Sequence, residues 1–206
     1  MRSYCLRLLP FLVALVAGCG GTTMAQMRVS GPFTEEHRAA FDDGADYVDD
    51  PTPLPDAWLR SWEDDINRRV SLADVVAVVR VTTVGDDDMD MDRRSTFRLL
   101  AHVEARLFGD IPDDLTLVSE PTDPGIRTID GHARQLLGQA FVAFVKWVDD
   151  DGRVAPRWHL SPASTRVIAR ARALVERHRA SPEDRRRVVV HEHDGEGGGD
   201  EDDDGP

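Results

Sequence analysis

Two neighbouring segments limit what this chain can fold into. "ADVVAVVRVTTV" (residues 73–84) is β-branched and apolar on both faces, which suits a central strand covered from both sides. From Phe97 the pattern changes. Phe97, Leu99, Ala101, Val103, Ala105 and Leu107 alternate with Arg98, His102, Glu104 and Arg106, a half-buried strand long enough to bend around a small barrel. The alternation puts Val79, Val81, Phe97, Leu99, Val103, Phe141 and Val145 on inward faces.

Three further strands follow in the sequence. Gly109-Asp-Ile-Pro112 turns the chain into "DLTLVS" (114–119), and a loop rich in Pro and Gly (120–138) leads to "AFVAFVKWV" (140–148). Asp149-Asp-Asp-Gly152 reads as a hairpin turn into Val154 to Leu160. Pro156 cannot donate to a ladder, which predicts an edge position for this fifth strand.

A helix is expected on either side. Leu59, Trp62, Ile66 and Val70 recur at helical spacing behind Asp56 as cap, with Trp62 in the core and Trp58 partly exposed. After the strands, Ser161-Pro162 offers a cap and a first-turn proline. Val167, Ile168, Ala171, Leu174 and Val175 then form one apolar stripe, and His178 is solvated at the helix end. The expected fold class is α+β: a five-stranded OB-like barrel over residues 56–180, flanked by an N-terminal and a C-terminal helix.

The segments outside this domain differ in composition. Residues 19–55 are dominated by Gly, Thr, Ser, Pro and acids and read as a flexible tether, with one short helical turn at Glu35 to Phe41 behind Thr34. As free coil they reach roughly 30–35 Å. Residues 181–206 read as an acidic, disordered tail in which His191 and His193 precede a Gly-rich run of carboxylates; "RRRVVV" (185–190) just before it either adds a short strand or ends the fold.

The first 18 residues read as a secretory signal peptide: Arg2 and Arg7, an apolar run from Leu8 to Ala17 too short to span a bilayer, then small residues. Val16-Ala17-Gly18-Cys19 resembles the lipobox of bacterial lipoproteins. That resemblance implies cleavage before Cys19, diacylglycerol on its thiol and acylation of its amino group. Gly20 in the next position mildly favours the outer membrane. The alternative is cleavage after Thr23-Met24-Ala25, leaving Gln26 first. Cys5 falls in the leader either way, so Cys19 has no disulfide partner within the mature chain.

"ADVVAVVRV", "FRLLAHVEARLFGDIPDDLTL" and "LLGQAFVAFV" together resemble the netrin-module and metalloproteinase-inhibitor type of OB-like barrel. The resemblance covers about residues 72–160 and speaks to fold. Such inhibitors chelate a protease's zinc through a free amino-terminal Cys held by disulfides. Here Cys19 lies far upstream and lacks a disulfide partner, so inhibition by that route is not implied.

Charge and motifs then narrow the function. The net charge of −13 becomes more negative once Arg2 and Arg7 leave with the leader, and such a surface repels phosphate backbones. Nucleic acid is therefore not expected as a partner. No nucleophile-elbow, His-Glu-x-x-His, Walker or dinucleotide motif occurs, and Ser161, Ser164, His102, His132 and His159 show no recognisable spacing. Asp88-x-Asp90-x-Asp92 resembles the start of a calcium loop, but Arg93 stands where glycine is required and Leu99 where Glu is. No catalytic residue, metal ligand or cofactor is assigned.

The sequence thus describes a lipid-anchored protein of the bacterial envelope that binds or scaffolds, without catalysis, its partner being another envelope protein. Its partner surface is expected on the 85–95 and 120–138 segments, both read as free of core residues. The alternatives are a divalent-metal-binding envelope protein using the acidic loop and tail, or a hydrolase with an unrecognised site.

Overall fold

A computed structural model describes residues 29–89 and 95–180. Its six strands are β1 (Gly44–Ala45), β2 (Val75–Met89), β3 (Ser95–Phe108), β4 (Asp114–Ser119), β5 (Ala140–Asp150) and β6 (Arg153–Pro162). The helices are α1 (Glu35–Ala40), α2 (Asp56–Leu72), α3 (Ile126–Asp130), α4 (Ala133–Leu136) and α5 (Thr165–Arg179). The fold is α+β, as expected, but the sheet has six strands where five were expected and is not closed, running β1-β6-β5-β2-β3-β4. The edge strands stay apart in the ladder. A side chain spans part of the gap, since Trp158 Nε1 on β6 donates to Val118 O on β4 at 3.0 Å.

The apolar run at β2 has a direct structural cause. Val75, Ala77, Val79 and Val81 face one core with Phe97, Leu99, Phe141, Val145 and Trp158. Val76, with Val142 and Phe144 of β5, faces a second core beneath α2 and α5, with Trp62, Ile66, Val70, Val167, Ala171 and Leu174. β3 carries one buried face because no helix layer covers its other side along most of its length, and its alternation survives intact. All seven predicted inward residues are buried. Register shifts between β2 and β3, for example between Val81 and Thr83, let this long hairpin bend.

Several boundaries need correction. β2 continues through Gly85 and Asp86, where a loop was expected, because Phe97, Arg98 and Leu99 pair with this stretch. The tip of that loop, residues 90–94, lies outside the described residues. Ser161 and Pro162 end β6 and do not start a helix; Ser164 caps α5 and accepts from Val167 N–H at 3.3 Å. Pro55, not Asp56, takes the N-cap position of α2. β6 is not an edge strand: β1 lies parallel to it, covering His159 and Leu160, while Pro156 pairs only with β5. The turn between β5 and β6 is as expected. Asp151 (φ 50°) and Gly152 (φ 80°) are its two central residues, both left-handed, as a tight type I′ hairpin requires.

Part of the expected tether is packed against the domain, chiefly around residues 40–45. Ala40, Phe41, Asp43 and Ala45 are all buried. The 120–138 segment also contributes to the core, through Ile129 and Leu136, both fully buried. Among the described residues no helix is long and apolar enough to cross a membrane.

Candidate functional site

The chemistry-bearing side chains gather where residues 42–46 lie against β6. Trp158 and Leu160 of β6 point into the core, so Arg157, His159 and Ser161 point the other way. Residues 42–46 run beside this face as an added strand. Asp43 N–H donates to Trp158 O and Asp46 N–H to Leu160 O, each at 2.9 Å.

His159 lies between two carboxylates. Nδ1 is 2.7 Å from Asp42 Oδ1, and Nε2 is 3.2 Å from Asp46 Oδ2. Carboxylate oxygens accept, so an N–H on either ring nitrogen has its acceptor in place. Asp46 Oδ2 also accepts from Ser161 Oγ at 2.6 Å and from Arg69 Nη1 at 3.3 Å. Burial pushes Asp42 and Asp46 up, but the hydrogen bond and charge of His159 outweigh it. Both stay below the usual carboxylate range.

A second group shares the same strand. Asp43 is left-handed (φ 55°), an uncommon backbone state for a residue with a side chain, and its carboxyl group is almost fully buried. Its Oδ1 accepts from Trp158 N–H at 3.0 Å, taking the place of a ladder acceptor. Its Oδ2 accepts from Arg157 Nη1 at 2.7 Å, and the same Nη1 donates to Asp123 Oδ1 at 3.2 Å. Burial pushes the Asp43 carboxyl up to about 7, against the pull of Arg157. A pocket of about 320 Å³ opens here between Phe33, Phe41, Asp123 and Arg157.

This arrangement does not form a nucleophilic site. Ser161 Oγ gives its proton to Asp46, both nitrogens of His159 are occupied by carboxylates, and Ser161 and His159 are buried. His159 is thus not placed as a base for the Ser161 hydroxyl, and the buried hydroxyl faces Asp46 and not an open cleft. The cluster instead ties α2, the 42–46 strand and β6 together.

The strand in turn shapes an open cleft of about 590 Å³, whose lining includes Tyr47, Asp49, Arg80, Gln135, Gln139 and Ser164. Tyr47 is positioned twice: its hydroxyl donates to Thr128 O at 2.7 Å and its ring lies 4.5 Å from that of His132. Burial pushes its phenol up to about 12, so it remains a donor. Arg80 is held by Glu104 at 2.5 Å and by Gly138 O at 2.8 Å. The side-chain amides of Gln135 and Gln139 make no hydrogen bond among the described residues. They are available to a ligand.

Cys19 and the acidic tail lie outside the described residues. Of the scattered residues, His102 pairs with Asp114 at 2.9 Å on the surface, His132 supports Tyr47, and Ser164 caps α5. Only His159 and Ser161 are brought together. Asp42, Asp43 and Asp46 read as linker in the sequence because Asp-Asp-Gly is also turn composition. Among the described residues no group of three or more His, Cys, Asp or Glu is arranged to hold a metal ion. No family model matches the chain, and comparison with curated proteins gives no match.

Proposed function

We propose that the chain is a bacterial envelope lipoprotein, anchored by lipid on Cys19, whose folded part binds or scaffolds another envelope protein without catalysis. The observation that carries the anchor is Val16-Ala17-Gly18-Cys19 at the end of a short apolar run. The contacts of Ser30 bear on its geometry. Ser30 Oγ donates to Asp74 Oδ1 at 2.6 Å and receives a hydrogen bond from Lys146, the sole lysine. Packing therefore begins by Ser30, and the eleven steps back to Cys19 span at most about 40 Å. As free coil, eleven residues would reach roughly 17–20 Å, a shorter mean distance from the lipid surface than a tether ending at residue 55 would give. Gly20 favours the outer membrane.

The antiparallel core of the sheet, the Trp158 hydrogen bond between β6 and β4, and α2 and α5 before and after the strands support kinship with the OB-like barrel of netrin modules. The cleft beside Tyr47 supports recognition: it joins a fixed guanidinium, two unpaired amides and a half-exposed aromatic ring on rigid elements. The acidic surface disfavours nucleic acid.

Mass spectrometry of the mature amino terminus tests the anchor, with a diacylated Cys19 as the expected species; an unmodified chain starting at Gln26 overturns it. Recognition is tested by a photo-crosslinking residue at Gln135 in intact envelopes, with Glu176 as control position. A discrete adduct from 135 alone is expected, and equal or no adducts from both positions would sink this use of the cleft.

A further inference from the structure

Lys146 marks the side from which the chain enters its fold. It follows Val142 and Phe144 along β5 at strand spacing, and those two residues face the core beneath α2 and α5. Its side chain therefore leaves the sheet on the helix side, and Ser30, which it meets through Nζ, lies there too. The same point is the C-terminal end of both helices. Asp74, the other partner of Ser30, comes just after α2 ends at Leu72. Gly109 packs so closely on Asp74 O that no Cβ would fit between them. Beside Gly109, the Phe108 ring carries the Arg179 guanidinium, 5.4 Å from its centroid. Ser30, the end of α2 and the last turn of α5 thus share one corner of the molecule.

That corner is basic although the chain is acidic. α5 holds five arginines against one acid, Glu176, in a chain of net charge −13. Arg166 and Arg170 face Asp50 and Glu63, at 3.5 and 3.9 Å. Arg172, Arg177 and Arg179 are exposed and pair with no carboxylate among the described residues. Nearby acids are taken elsewhere: Asp65 by Arg68, Asp74 by Lys146 and Asp113 by Arg106. Glu176 and the exposed Asp110 are left against three arginines. Leu72, Leu107 and Phe108 add half-buried apolar surface between them. The acidic β5–β6 turn belongs to the sheet, which stands about one helix diameter, roughly 10 Å, behind the outer side of α5.

We propose that this corner docks the anchored domain on an anionic phospholipid surface, with α5 turned to the bilayer and Arg172, Arg177 and Arg179 on lipid phosphates. The inference rests on the reading of Cys19 as the anchor, because the short span from Cys19 to Ser30 holds this corner nearest the lipid. The net charge of the chain opposes approach to such a surface. Confinement by the anchor overcomes that opposition, and the arginines then select the side that meets the headgroups. Guanidinium forks match phosphate oxygens. The docked orientation has a use: Ser164, the cap of α5, lines the Tyr47 cleft, about 22 Å along the helix from Arg179. Docking at the corner therefore holds the cleft at the far end, away from the bilayer.

In a chain beginning at Cys19 that residue is the only cysteine, so its thiol couples to a maleimide lipid whether or not cells acylate it. Docking is thereby tested apart from the anchor, which the mass of the native amino terminus decides. A photo-crosslinking residue replaces Ala173, exposed on α5, or Leu137, exposed beside the cleft. The vesicles hold phosphatidylcholine and phosphatidylglycerol at about two to one, and labelling is read as lipid mass added to the chain. Position 173 is expected to label at least about fivefold more than position 137. Arg172→Gln, Arg177→Gln and Arg179→Gln together should bring it down to the level of 137. The same three positions changed to Lys keep the charge and should keep the labelling, which separates charge from folding. Equal labelling from 173 and 137 overturns the proposal. So does labelling at 173 that persists in pure phosphatidylcholine or in the Gln chain, or that is lost in the Lys chain.

Discussion

Gly44 and Gly125 meet backbone to backbone. A Cβ on Gly44 would stand 2.6 Å from the Gly125 Cα, and Gly125 N–H donates to Asp42 O at 2.8 Å. Thr128 secures the same approach, its Oγ1 accepting from Ala45 N–H at 2.9 Å. The contact is what lets the Asp-rich strand lie between β6 and α3. Gly44→Ala and Gly125→Ala should each cost about 1–3 kcal/mol as overpacking at a site with no room to give. Urea unfolding of each variant measures it, and a wild-type midpoint would show that the strand is free to shift.

The His159 cluster predicts a contrast between two histidines. His159→Ala leaves Asp42 and Asp46 facing each other across a buried space and should cost about 3–5 kcal/mol. His102→Ala removes only an exposed pair with Asp114 and should stay within about 1 kcal/mol. Equal losses in thermal unfolding would mean that the cluster does not hold the fold together.

The acids of the same strand predict a pH dependence with two signs. Asp42 and Asp46 are held below their usual range, so their stabilisation is present above about pH 4 and lost as pH falls through their folded values. Asp43 is raised from 3.8 to about 7, and its contribution runs the other way. In the unfolded chain it loses its proton first, so wild type should lose stability relative to Asp43→Asn as pH rises from about 4 to about 7. Unfolding free energies of both proteins across that range give the difference curve. A flat or rising curve contradicts the assignment.

The core predicts equal costs at unequal-looking places. Leu99, on the alternating strand, and Leu136, in a segment with the composition of a loop, are both fully buried. Truncating either to Ala should cost about 2–5 kcal/mol. A much smaller loss at Leu136, read from urea midpoints, would return the 120–138 segment to the status of a surface loop.

The strands were legible where their residues carry a period. β2 read as covered on both faces and β3 as covered on one, and the two-core arrangement gives that result its cause. The Asp151-Gly152 turn was legible because its backbone demands those residue types. β1 was not, since two residues, Gly44 and Ala45, have no period, and their place is decided by β6, more than a hundred residues away. Ile129 and Leu136 fall with Ile126 and Ala133 at spacings of three and four, a helical period that is short and interrupted by Gly131, so a reading of the segment as a Pro- and Gly-rich loop passes over it. His159 carried one usable signal: in a strand whose Trp158 and Leu160 turn inward, it must share the opposite face with Arg157 and Ser161. Its carboxylate partners lie in a segment whose composition reads as linker.

The parallel pairing of Gly44 with His159 also fixes an order of events. A ladder that joins such distant residues closes a very long loop, and the entropy of closure is met before the pairing returns anything. The strand synthesised first is therefore the last to dock. Until β6 is in place, Asp42, Asp43 and Asp46 remain hydrated and charged, which keeps an unpaired strand from joining the wrong edge. Their burial marks the final step of assembly, so proteolysis between residues 30 and 55 should persist until the rest of the sheet has formed.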